Sequence, residues 1–96
     1  MPVANTIREK REEILRIAAH RGARNVRLFG SVARGEESAD SDVNLLVDME
    51  EGRGFLDLSH LLLDIEELLG RRVHVVEPEA IYWATRERII QEAVPL

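Results

Sequence analysis

The sequence predicts an α+β fold of the α/β kind, a small mixed β-sheet with helices packed mainly on one face. Three observations carry this expectation. Residues 26–29, 42–48 and 73–76 are short apolar runs of strand length and composition. The stretches around them repeat apolar residues at helical spacing. The order that results is helix, strand, strand, helix, strand, helix, with no internal repeat and no linker-like segment.

The first helix is expected near residues 6–21. Asn5 and Thr6 are cap-forming residues, and Thr6 followed by Glu9 has capping-box spacing. Ile7, Ile14, Leu15, Ala18 and Ala19 then share one helical face, and Gly22 is a suitable stop. Residues 26–29 form the first strand, interrupted only by Arg27 and ending at Gly30. Residues 30–41 mix Gly, Ser, Ala and charge, and read mainly as an ordered connection with room for a short helix. In the second strand, alternation puts Asp42, Asn44 and Leu46 on one face and Val43, Leu45 and Val47 on the other. A polar, glycine-containing loop follows. Leu58, Leu61, Leu62, Ile65, Leu68 and Leu69 then make the most regular helical stripe in the chain, closed by Gly70. His74 lies within the third strand, and Pro78 ends that pattern. A last helix, residues 81–92, places Ile81, Thr85, Ile89 and Ala93 roughly on one side.

Ninety-six residues predict one domain spanning 1–96. A chain of this size buries roughly two-thirds of its unfolded surface, enough for one core. The formal net charge of −5 argues against a dedicated nucleic-acid binder, which needs a basic surface. Arg21 with Arg24, and Arg71 with Arg72, read as solvated surface, as do His20 and His60. No apolar run approaches the ~20 residues that cross a bilayer, and no hydrophobic leader opens the sequence. The absence of cysteine excludes disulfides and thiolate chemistry and fits a cytoplasmic home. Tyr82 and Trp83 are adjacent and cannot share a helix face, so one is expected to pack and the other to face a partner. With the apolar tail Val94-Pro95-Leu96 they predict a protein complex, homo-oligomeric or with another chain.

The chemistry concentrates in Leu28 to Asp48, LFGSVARGEESADSDVNLLVD. Gly30 has no Cβ and lets a ligand approach the backbone. Ser31 offers a hydroxyl and an N–H to a phosphate oxygen. Asp42 follows eleven residues later, at the start of the next strand and aimed at the same end of the sheet.

This segment resembles the nucleotidyltransferase superfamily that includes DNA polymerase β, and most closely its minimal, single-domain branch. The family pattern is an apolar residue, Gly-Ser, a spacer, then Asp-x-Asp or Asp-x-Glu in an apolar strand. Here those positions are Gly30-Ser31, Asp42 and Asn44, and the third carboxylate position is His74 within Val73-His74-Val75. The Gly-Arg-Arg before the third strand and the C-terminal Glu-Ala-Val-Pro-Leu are also similar to that branch. The resemblance implies a nucleotidyltransferase-like fold. It implies a catalytic set of Asp42, Asn44 and His74, and a nucleotide-binding set of Gly30, Ser31 and Arg34. The implied substrate is an NTP, ATP above others, and the implied cofactor is Mg²⁺, of which two ions sit on three carboxylates. It further implies the antitoxin half of a toxin–antitoxin pair, which adenylylates or binds a small helical HEPN-type toxin.

Only Asp42 keeps its charge at the three metal positions. Asn44 supplies a neutral carbonyl oxygen, and His74 a nitrogen better suited to transition metals than to Mg²⁺. Each missing carboxylate can reduce an electrostatically driven rate on the order of 10²-fold. Asp40 and Asp42 form a second Asp-x-Asp pair, which faces the site if the strand starts two residues early. Asn44 and His74 also read as polar residues facing solvent or in a satisfied hydrogen-bond network, with no metal, and for His74 this reading is favoured. Two functions therefore stay open, a nucleotidyl transferase and a degenerate domain that binds a nucleotide or a protein.

Overall fold

The computed structural model of the chain describes residues 3–36, 38 and 41–96. Asp40 lies outside the described residues. Two helices open the fold, α1 (Val3–Glu9) and α2 (Arg11–His20). The sequence predicts one helix capped at Thr6, but Thr6 lies inside α1. Lys10 interrupts the helix with φ −101° and ψ 13°. Its N–H still bonds the Thr6 carbonyl at 3.0 Å, and the Ile14 N–H bonds the Lys10 carbonyl at 2.9 Å. The interruption is therefore a kink. Val3, Ile7, Ile14 and Ala18 remain one buried stripe across it.

The chain continues through β1 (Ala23–Phe29), α3 (Ser31–Arg34), β2 (Val43–Met49), α4 (Phe55–Leu69) and β3 (Val73–Val76). A 3-10 turn (Pro78–Ala80), α5 (Trp83–Glu92) and β4 (Val94–Pro95) complete it. The sheet order is β3-β2-β1-β4. β2 pairs antiparallel with β1 and parallel with β3, so the sheet is mixed. The parallel pair needs a crossover, and α4 supplies it. Its ends are set locally. The Asp57 carboxylate accepts from the Gly54 N–H at 3.3 Å, and Gly70 takes a left-handed φ of 66° just past the last turn.

Two elements differ from the sequence reading for identifiable reasons. β1 starts at Ala23, ahead of the apolar run, because a bulge interrupts its alternation. The register shifts between Arg24 and Arg27, and Asn25 sits at φ 51°, a conformation Asn tolerates. Asp48 fastens the bulge by accepting from the Asn25 amide at 3.0 Å and the Arg27 guanidinium at 2.8 Å. The Val94–Pro95 tail is a fourth strand, pairing with Leu28 and Arg27 of β1. Proline is tolerated there because β4 is an edge. The Leu96 N–H then bonds the Val26 carbonyl at 3.0 Å, and its side chain packs on the core.

Val43, Leu45 and Val47 of β2, with Val73 and Val75 of β3, form the apolar face of the sheet. Ile14 and Ala18 of α2, with Leu61 and Ile65 of α4, join the same buried cluster, so these helices cover that face. Leu46 alternates to the other face and is fully buried apart from this cluster. Among the described residues no helix is long and apolar enough to cross a membrane.

Leu61 is 0 % exposed and Leu63 is 57 % exposed on the same helix. Leu61→Ala is expected to destabilise the fold by about 2–5 kcal/mol. Leu63→Ala is expected to stay within about 0.5 kcal/mol. Urea denaturation of the two variants checks the assignment of the buried face.

Candidate functional site

The polar face of the sheet gathers the candidate residues through register. Asp42 and Asn44 are two apart where β2 begins and share a face. Asn44 pairs with His74 across the parallel ladder and with Phe29 across the antiparallel one. Residues opposite each other in a ladder point to the same side. Asp42, Asn44 and His74 therefore meet beside the end of β1, where Gly30 begins.

The contacts are specific. His74 Nε2 lies 3.0 Å from Asp42 Oδ2. A carboxylate oxygen accepts, so the imidazole donates. Gly30 has φ 85° and ψ −159°, a region open essentially to glycine alone. A Cβ at Gly30 would stand 2.8 Å from Asn44 Nδ2. Glycine is thus required twice, by its dihedrals and by its neighbour. Ser31 opens α3, and its Oγ donates to Ser41 Oγ at 3.4 Å. Ser41 is fixed in turn, since its Oγ accepts the Ser38 N–H at 2.8 Å and its carbonyl accepts from Arg71 at 2.8 Å.

Arg34 is placed differently. It is three residues past Ser31 on α3, but its hydrogen bonds go to carboxylates. Its Nε donates to Glu36 and a terminal nitrogen donates to Glu92, both at 2.8 Å. These partners, Glu36 first, hold the guanidinium above its ordinary pKa range. Sequence reasoning misses three residues here. Arg71 reads as solvated surface in the sequence, yet it anchors the segment entering Asp42. Glu92 and Ser41 carry no signal, because nothing in their spacing says what they touch. Tyr82 and Trp83 also depart from expectation, being 66 % and 74 % exposed with ring centroids 5.6 Å apart.

Among the described residues, those at the three metal positions do not fit a two-Mg²⁺ centre. Among the described residues no group of three or more His, Cys, Asp or Glu side chains is gathered to hold an ion. The donors at the three positions are one carboxylate, one amide and one imidazole. Mg²⁺ takes hard oxygen ligands in near-octahedral array, and an imidazole is a poor substitute. In this arrangement Nε2 also spends its proton on Asp42, so it has no lone pair to give.

A family model described as "Nucleotidyltransferase domain" matches residues 7–96. A protein of Methanocaldococcus jannaschii, provisionally named a protein adenylyltransferase, is 38% identical over 88 residues, covering 92% of this chain and 95% of its own. A solved structure described provisionally as a minimal nucleotidyltransferase superposes with a TM-score of 0.89 at 48% identity, covering 100% of this chain and 97% of that one. A crystal structure of a toxin–antitoxin with AMP-PNP superposes with a TM-score of 0.74 at 15% identity, covering 88% of this chain and 69% of that one, and shares the fold.

Gly30→Ala is expected to destabilise the chain by about 3 kcal/mol, the upper end for backbone strain of this kind. Gly35 has φ 74° but nothing within 4 Å of where a Cβ would stand, so Gly35→Ala is expected to cost about 1 kcal/mol. Denaturation curves give both values. The Asn44 side-chain amide resonance should move in the Gly30 variant alone.

Proposed function

This chain belongs to the nucleotidyltransferase domain family, in its minimal branch, and we propose that it acts as a nucleotide-binding, antitoxin-type component whose transfer chemistry is strongly weakened. The observation that carries this reading is the 3.0 Å contact between His74 and Asp42. It puts an imidazole against the one carboxylate that the three metal positions retain. Asn44 adds no charge beside it. A site that holds its metal ions through anionic oxygens has lost most of them.

Nucleotide binding draws on other groups. Gly30 presents a backbone without a Cβ, Ser31 a hydroxyl, and Arg34 a guanidinium three residues later. None of these needs a metal to contact a phosphate. ATP is the proposed nucleotide, in keeping with the toxin–antitoxin crystal structure with AMP-PNP.

The proposed partner is a small helical HEPN-type protein. Two observations support a protein partner. Phe55 and Leu56 at the start of α4 are 79 % and 70 % exposed, and Tyr82 and Trp83 expose their rings at the start of α5. Exposed aromatic and aliphatic groups in adjacent pairs are common anchors of protein interfaces. The toxin–antitoxin neighbour supports the biological setting by its fold. Self-association of this chain is a further outcome that the same surfaces accommodate.

A second reading is an active protein adenylyltransferase, moving AMP from ATP to a hydroxyl of that partner. The name of the Methanocaldococcus relative favours it, since the two chains align over nearly their whole length. Asp40 is the residue this reading needs, as the second acid of Asp40-x-Asp42.

The test is a labelled-ATP transfer assay against a candidate helical partner. The unmodified chain is expected to give little or no transfer. The double variant Asn44→Asp with His74→Asp is expected to raise transfer on the order of 10²-fold or more. Single variants should gain far less, because the two positions act on one site. Robust transfer by the unmodified chain, abolished by Asp42→Ala and by Asp40→Ala, establishes the second reading instead.

A further inference from the structure

Helix α5 has no fully buried residue, yet its last residue reaches Arg34. Glu92 Oε1 accepts from Arg34 at 2.8 Å, across 58 positions of sequence. The glutamate side chain is 25 % exposed, and Arg34 is 42 % exposed. Glu36 takes the Nε edge of the same guanidinium at 2.8 Å. Arg34 thus has both a local and a distant carboxylate on it.

Ser31 and Arg34 are separated by three positions on α3 and lie on neighbouring parts of one helical face. On the proposed reading, a phosphate at Ser31 would lie on the side of α3 from which Arg34 also projects. The guanidinium fork matches carboxylate and phosphate oxygens equally well. It cannot serve Glu36, Glu92 and a phosphate with the same donors.

We propose that Glu92 competes with nucleotide phosphates for Arg34, so that nucleotide binding displaces Glu92 and alters the environment of α5. This rests on the reading of Arg34 as a nucleotide-binding residue and adds a regulation of that site. The competition is biased toward exchange. Partly exposed ion pairs are weak, whereas a triphosphate brings several negative charges to the same fork. Glu92 also repels that charge while it stays in place. The apparent affinity for nucleotide is reduced by the fraction of molecules in which Arg34 is engaged by Glu92. Because Glu92 ends α5, and the chain then turns directly into β4, the exchange is felt along the helix that exposes Trp83. Trp83 is the only tryptophan of the chain and reports on α5.

The test is titration with ATP, followed by calorimetry and by Trp83 fluorescence. Glu92→Gln is expected to tighten ATP binding about threefold to fivefold, the range set by one partly exposed ion pair. Arg34→Ala is expected to weaken it on the order of tenfold. Glu92→Gln should have no effect in the Arg34→Ala background, since the competition then has no object. In the unmodified chain, ATP should change Trp83 fluorescence and shift the amide resonances of Arg34 and Glu92 together. Amide shifts confined to residues 30–44 overturn the proposal even if Glu92→Gln fails to fold. Weakening by Arg34→Ala with no effect of Glu92→Gln overturns the competition and leaves Arg34 in the nucleotide site. Unchanged affinity in Arg34→Ala removes Arg34 from that site, and the proposal falls with it.

Discussion

Strand β2 is where the two halves of the molecule are tied together, because its alternation serves the core and the site at once. Val43, Leu45 and Val47 are buried, and Asp42 and Asn44 face the other way. A slip of one residue would exchange the two sets and bury a carboxylate in place of a valine. Three branched apolar side chains, each 0–1 % exposed, hold the register against that slip. Pairing on both sides then carries the register outward. Phe29 and His74 are brought to Asn44 from opposite neighbours, one antiparallel and one parallel. The site is in this sense a by-product of a well-determined core strand.

What the site can do follows from which atoms that register delivers. Gly30 is pressed against the Asn44 amide, and His74 is bonded to Asp42. The second contact lets Asp42 and His74 satisfy one another. A family site with three carboxylates at the same positions would instead concentrate like charge, which is stable only with cations bound. Replacing two of them by an amide and an imidazole removes that repulsion. On the proposed reading, phosphate contacts then fall to Ser31 and Arg34. The Arg34 guanidinium already carries Glu36 and Glu92.

The sheet and helix order is legible in the sequence wherever period and punctuation agree. The α4 stripe ends at Gly70, and the structure has Gly70 in the left-handed conformation that closes a helix. Alternation together with the family order places Asp42, Asn44 and His74 together, and the ladder pairs Asn44 with His74, which lies 3.0 Å from Asp42. The first half of β1 is not legible, because a bulge at Asn25 destroys the period-two signal that identifies strands. β4 is not legible because two residues have no period, and a proline argues against a strand until the edge position is known. Arg71 and Glu92 escape sequence reading for a different reason. Each acts through one long-range contact, to Ser41 and to Arg34, that no local pattern encodes.

We propose that nucleotide recognition in this chain rests on backbone, hydroxyl and guanidinium groups and does not require a metal. Calorimetric titration of the purified chain with ATP, once in excess EDTA and once in excess Mg²⁺, tests it most directly. The account predicts measurable binding in EDTA, with an affinity that Mg²⁺ changes by less than about threefold, well under the ~1.4 kcal/mol that a tenfold change represents. Binding that appears only with Mg²⁺, and disappears in Asp42→Ala, would contradict it.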